Sequence, residues 1–129
     1  MDYKKMPSGH ATWGWLELMT TDPARARDFY TKVLGWTTTE KDMGPAGKYT
    51  IFSARGEMLG GMMKTPPEAA KAPPSWTPYV QVESLDAAHA KAKELGGKEC
   101  MPPTPIPGIG RFSVITDPTG AAIGFIQYD

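Results

Sequence analysis

The chain has 129 residues, enough for one ordinary domain that buries its own core without a covalent staple. Fourteen Lys and Arg balance fourteen Asp and Glu, so the net charge is zero and there is no basic field to hold nucleic acid. No apolar run approaches the roughly 18 residues of a membrane span, the first residues Met1-Asp2-Tyr3-Lys4-Lys5 lack the apolar core of a signal peptide, and the single Cys100 has no internal disulfide partner, so the sequence predicts a cytoplasmic protein with no membrane contact.

From Trp13 to Thr20 the residues alternate as in a strand, with Leu16 and Leu18 on one side and Trp13, Trp15 and Glu17 on the other. Asp22 then caps a helix. Pro23 suits its first turn, Ala26, Phe29, Tyr30 and Val33 follow at helical spacing, and Gly35 stops it. Three short strands are expected next, at Trp36 to Lys41, Tyr49 to Ala54 and Met58 to Met63, separated by Gly44-Pro45-Ala46-Gly47 and by Arg55-Gly56-Glu57. Nine of the thirteen prolines cluster between Pro66 and Pro78 and between Pro102 and Pro107, which predicts a linker at 65–74 and a long late loop.

The second half repeats the order. Trp76 to Val82 alternates, Ser84 caps a helix carrying Ala88, Ala92 and Leu95, and Gly96-Gly97 ends it. Lys98 to Met101, Arg111 to Thr116 and Ala121 to Gln127 supply three strands, the last two joined by the turn Asp117-Pro118-Thr119-Gly120. A shift of 62 positions lays Asp22 on Ser84, Leu18 on Val80 and Gly35 on Gly97. The predicted fold is α+β, a single domain over 1–129 made of two tandem βαβββ modules at 12–64 and 75–128.

The string Leu16-Glu17-Leu18, Asp22-Pro23, Phe29-Tyr30 and Val33-Leu34-Gly35-Trp36 resembles the first module of the vicinal oxygen chelate superfamily, which includes glyoxalase I, bleomycin-resistance proteins and extradiol dioxygenases. Gly108-Ile109-Gly110-Arg111 and Asp117-Pro118-Thr119-Gly120-Ala121 resemble the closing strands of an uncharacterised glyoxalase-related branch. The resemblance implies a curved mixed sheet with helices on the convex side and a concave cleft for small molecules, often completed by a second subunit, so a homodimer is expected.

That resemblance also implies where a metal would sit, and this chain departs from the pattern there. The first-strand histidine position falls on Trp15, its second-module counterpart on Thr77, and the two carboxylate positions on Gly60 or Gly61 and on Gly124. A catalytic divalent site needs about three protein ligands, so neither metal nor other cofactor is expected. The two histidines do not rebuild one: His10 reads as a solvated tail residue and His89 as a surface residue of the second helix.

Alternation places Trp13, Trp15, Glu17, Thr77, Tyr79 and Gln81 on the cleft side. Glu17 is the candidate catalytic residue: an apolar setting would favour its protonated form and suit it to general acid or base work, whereas a bond to Arg111 or to backbone donors would make it structural. Trp13, Trp15, Tyr79 and Tyr128 are candidate stacking surfaces for a flat ligand. Arg111 can hold a ligand carboxylate or phosphate, or form a plain salt bridge. Met58, Met62 and Met63 offer adaptable apolar surface, and Cys100 reads as a structural thiol.

Three functional readings follow. The first is a metal-independent protein that binds a small apolar or aromatic molecule, for sequestration or resistance. The second is a metal-free isomerase, epimerase, cyclase or lyase in which Glu17 moves a proton. The third, a metal-dependent lyase of the glyoxalase I type, requires ligands the sequence does not supply.

Overall fold

A computed structural model describes residues 6–67 and 71–129. Residues 1–5, on which the expected lack of a leader rests, and positions 68–70 of the predicted linker lie outside the described residues. The described elements are β1 (Thr12–Thr20), α1 (Pro23–Leu34), β2 (Thr37–Asp42), β3 (Lys48–Ala54), β4 (Glu57–Lys64), β5 (Ser75–Gln81), α2 (Leu85–Glu94), β6 (Lys98–Ile106), β7 (Gly110–Thr116) and β8 (Ala122–Tyr128). This is the α+β class with the βαβββ order occurring twice, as expected.

Local chemistry sets the helix ends. The Asp22 carboxylate accepts from the Arg25 N–H, Pro23 occupies the first turn, and Gly35, at φ 71°, donates its N–H to the Thr31 carbonyl. In α2 the Ser84 hydroxyl accepts from the Ala87 N–H. The pairing pattern repeats between modules. β1 runs parallel to β4 and β5 parallel to β8, while β2–β3, β3–β4, β6–β7 and β7–β8 pair antiparallel. The strand orders are β2-β3-β4-β1 and β5-β8-β7-β6.

The chain forms two compact units: Leu16–Thr77, and a second comprising Pro78–Asp129 with the segment up to Trp15. In the first, Leu18, Phe52 and Met62 are buried, with Ala26 and Tyr30 of α1 and Trp36 packed against them. In the second, Tyr79, Phe112 and Ile126 are fully buried in the sheet and Leu85 fully buried at the start of α2. Burial of such side chains stabilises each unit by roughly 1.5–3 kcal/mol apiece.

Two sequence expectations change. β6 continues through Pro102, Pro103 and Pro105 to Ile106, where a loop was expected. β6 is the terminal strand of its order, and its register with β7 shifts between Glu99 and Met101 and again between Met101 and Thr104. Proline lacks the N–H a ladder needs but is tolerated at an edge and at bulges. His89, expected on the helix surface, is buried: its Nδ1 lies 2.9 Å from the Ser113 hydroxyl and its Nε2 2.6 Å from a Glu99 carboxyl oxygen. The ring ties α2 to β6 and β7.

The turn before β8 supplies a pH test. One carboxyl oxygen of Asp117 accepts from the Thr119 hydroxyl at 2.6 Å, the Thr119 N–H at 2.8 Å and the Ala121 N–H at 3.1 Å. The Thr119 hydroxyl first, then these N–H groups, holds the Asp117 carboxyl below the ordinary value of 3.8. A depressed folded-state value contributes stability that is full above the unfolded value and is lost as pH falls through the folded one. The stability gap between wild type and Asp117→Asn is therefore expected to be constant near neutrality and to shrink below about pH 4. Urea midpoints from pH 7 to pH 3 measure it, and a gap that stays constant throughout would remove Asp117 as its source.

Candidate functional site

In the Leu16–Thr77 unit, the parallel register of β1 with β4 sets Glu17 beside Gly61. Glu17 is fully buried, and the Tyr49 hydroxyl of β3 donates to its Oε2 at 2.6 Å. Tyr49 is itself fully buried. A Cβ on Gly61 would lie 1.9 Å from the Tyr49 hydroxyl oxygen and 2.2 Å from its Cζ. The phenol thus occupies the space into which a Gly61 side chain would project. Thr77, at the end of this unit, is also buried.

The other unit repeats the substitution with different partners. Tyr79 of β5 pairs with Gly124 of β8, and a Cβ on Gly124 would meet the Tyr79 ring at 2.3 Å. The Tyr79 ring is fully buried and packs on Phe112, with centroids 5.6 Å apart. Tyr128 donates its hydroxyl to the Gly14 carbonyl, and burial pushes the phenol above its ordinary value of 10.0. A Cβ on Gly14 would lie 3.0 Å from the Gln81 Cβ and 3.4 Å from the Tyr128 hydroxyl, so Gly14, Gln81 and Tyr128 converge.

Trp15 is buried, but Trp13 is 52% exposed and borders a shallow recess with Met6, Pro7, Ala11, Thr12 and Val80. Gly14, not Trp13, takes the Gln81 side of β1. Alternation counted back from Glu17 placed Trp13 with Tyr79, and the close approach of Gly14 to Gln81 reverses that placement. Arg111 turns its two terminal guanidinium nitrogens to Asp86 of α2, at 3.1 and 3.4 Å, the plain salt bridge that the sequence left open. His10 is exposed, as expected of the tail, and its Nδ1 accepts from the Glu83 N–H at 3.0 Å. Met62 belongs to the core, Met58 is 61% exposed, and Cys100 is an exposed free thiol.

The side chains do not fit a divalent ion. Among the described residues no three His, Cys, Asp or Glu side chains group closely enough to hold one. At both glycine positions a tyrosine ring fills the room a carboxylate would need. Ser113, His89 and Glu99 form a hydrogen-bonded line that joins β7, α2 and β6. Tyr49 was missed as a candidate. Its alternation with Phe52 across β3 was visible, but nothing local linked it to a residue 32 positions away.

Residues 10–125 match the family model of the glyoxalase/bleomycin resistance protein/dioxygenase superfamily. The chain is 37% identical over 126 residues to CFP32 of Mycobacterium bovis, a protein named as a glyoxylase, covering 96% of this chain and 48% of that one. It is 33% identical over 120 residues to the anthracycline biosynthesis protein DnrV of Streptomyces peucetius, covering 84% of this chain and 44% of that one. The chain thus spans about half the length of these curated relatives. Among solved structures, methylmalonyl-CoA epimerase from Mycobacterium tuberculosis superposes with a TM-score of 0.68 at 16% identity, covering 99% of this chain and 96% of that one, a likeness of fold. No helix among the described residues is long and apolar enough to cross a membrane.

Proposed function

Because the chain belongs to the glyoxalase/bleomycin resistance protein/dioxygenase superfamily, we propose that it binds a small apolar or aromatic molecule without a metal ion, as a cytoplasmic homodimer that sequesters the molecule or confers resistance to it. The observation that carries this reading is the pair of tyrosines, Tyr49 over Gly61 and Tyr79 over Gly124, packed where carboxylate ligands would have to project. Buried tyrosine rings stand where carboxylate donors would be needed. The proposed ligand contacts, all in the unit that holds Pro78–Asp129, are Trp15, Tyr79, Gln81 and Tyr128. Trp13 and Arg111 leave this set, the first because it sits with Val80 and the second because Asp86 engages its fork. The relative named for anthracycline biosynthesis supports a flat aromatic ligand.

A second reading rests on one observation, the fully buried Glu17 carboxyl bonded to the Tyr49 phenol. A carboxyl and a phenol in contact can take a proton from a bound carbon or oxygen acid and return it, the chemistry of an isomerase, epimerase, cyclase or lyase. Glu17→Gln separates the two readings. In the binding reading the affinity for the retained molecule stays within about threefold, because an uncharged apolar ligand needs no proton transfer. In the enzymatic reading turnover falls by about 10² to 10⁴.

Native mass spectrometry of the untagged protein taken directly from cells is the test of the binding reading. The expected spectrum is a dimer carrying an organic mass and no metal. A stoichiometric divalent ion, or a chain with nothing bound across growth conditions, would overturn it.

A further inference from the structure

Within the Leu16–Thr77 unit, Leu16 and Gly60 alternate with Glu17 and Gly61 along β1 and β4, so they lie on the opposite face of the sheet. That face carries a recess of about 230 Å³ lined by Leu16, Trp36, Phe52, Leu59, Gly60 and Trp76. A Cβ on Gly60 would lie 2.1 Å from the Leu16 carbonyl oxygen, so no larger residue fits at that position of the wall.

Its walls are held in place. Tyr30 stacks on Trp36 at 5.6 Å and accepts a hydrogen bond from the Trp76 Nε1–H at 2.9 Å. Phe52 touches both tryptophans, with centroids 5.2 and 6.2 Å apart, and the two indoles meet edge-on at 6.3 Å. Leu16 and Leu59, at the rim, remain 51% and 38% exposed. No charged side chain lines the recess.

We infer that this recess is a binding site for an uncharged, planar molecule of two fused aromatic rings, distinct from the face that carries Glu17. Size sets the ring count: an apolar cavity of about 150 Å³ takes one benzene ring, and 230 Å³ leaves room for a second fused ring. Ring orientation sets the shape. Tryptophans held at a near-perpendicular angle offer one offset-stacking face and one edge to a flat guest. Charge sets the polarity, because a carboxylate or phosphate brought into this lining would lose its hydration and gain no counter-ion.

The test titrates naphthalene and indole, with 2-naphthoate as a charged control, into the full chain while the four tryptophan indole N–H signals are followed by NMR. Saturable shifts at Trp36 and Trp76, small shifts at Trp13 and Trp15, and at least tenfold weaker binding of 2-naphthoate are expected. Leu59→Glu is expected to weaken naphthalene binding at least tenfold, and its half-exposed site lets the new charge reach water in the folded protein. Leu16→Lys repeats the test from the neighbouring strand should the first variant fold poorly. Absence of saturable shifts would overturn the inference. So would saturable shifts confined to Trp15, with Leu59→Glu binding naphthalene as well as wild type does, which would place the probe away from this recess. Concentration-dependent self-association that Leu59→Glu abolishes, with no probe binding, would overturn it too and assign the recess to a second copy of the chain.

Discussion

Gly61→Glu is expected to lower the free energy of unfolding by about 3 kcal/mol or more and to bind no divalent ion. The family pattern places a carboxylate ligand at or beside this position, so the substitution restores a donor in name. Its Cβ alone, however, would fall 1.9 Å from the Tyr49 hydroxyl, and the whole side chain would have to displace a fully buried ring. Gly124→Glu meets the same obstacle, with the Tyr79 ring 2.3 Å from the new Cβ. Urea unfolding with and without nickel or zinc measures both effects. The mechanism makes a sharper demand on the double variant Gly61→Glu/Tyr49→Ala: removing the ring frees the space, so the double variant should be more stable than the sum of the two single losses by about 1 kcal/mol or more. Additive losses would show that the tyrosine is not the obstacle. A stability gain on adding metal to Gly61→Glu alone would show that a metal site needs only one carboxylate here.

Glu17→Ala carries the second large effect, a loss of about 3–5 kcal/mol. Truncation removes the acceptor of the Tyr49 hydroxyl, which is fully buried, and leaves a void the size of the lost carboxyethyl group. Glu17→Gln keeps the volume and an acceptor oxygen, and is expected to cost about 1–2 kcal/mol. Tyr49→Phe removes only the hydroxyl and should cost about 1–3 kcal/mol. The two side chains share one hydrogen bond, so the losses for Glu17→Gln/Tyr49→Phe should fall short of additivity. A Glu17→Ala variant within about 1 kcal/mol of wild type would mean that the site collapses or admits water without cost, and the buried pair would then hold nothing together.

Much of the fold was written in short-range signals. Asp22, Pro23 and Gly35 bound α1, Ser84 caps α2, and the βαβββ order recurs at a constant offset, because caps and alternation act within a few residues of themselves. The prolines of β6 misled, because tolerance of a missing N–H depends on whether a neighbouring strand needs it, and that is decided by position in the sheet. Trp13 misled for a related reason: one close glycine contact outweighs a count of alternating residues. His89 reads as a surface residue of the second helix, three residues after Asp86, yet Ser113 and Glu99 arrive from β7 and β6 to satisfy both ring nitrogens, which makes burial affordable.

The sequence by itself determined the element order, the duplication, the family resemblance and the replacement of every expected metal-ligand position by Trp15, Thr77 or a glycine. Those are properties of residue identity and local spacing. Only the tertiary structure decided what stands in place of the ligands. Tyr49 reaches Glu17 across 32 residues and occupies the room above Gly61, and Trp36 meets Trp76 to wall an apolar recess on the opposite face. Such partnerships depend on strand register and side-chain packing, which bring together residues with no common signal along the chain.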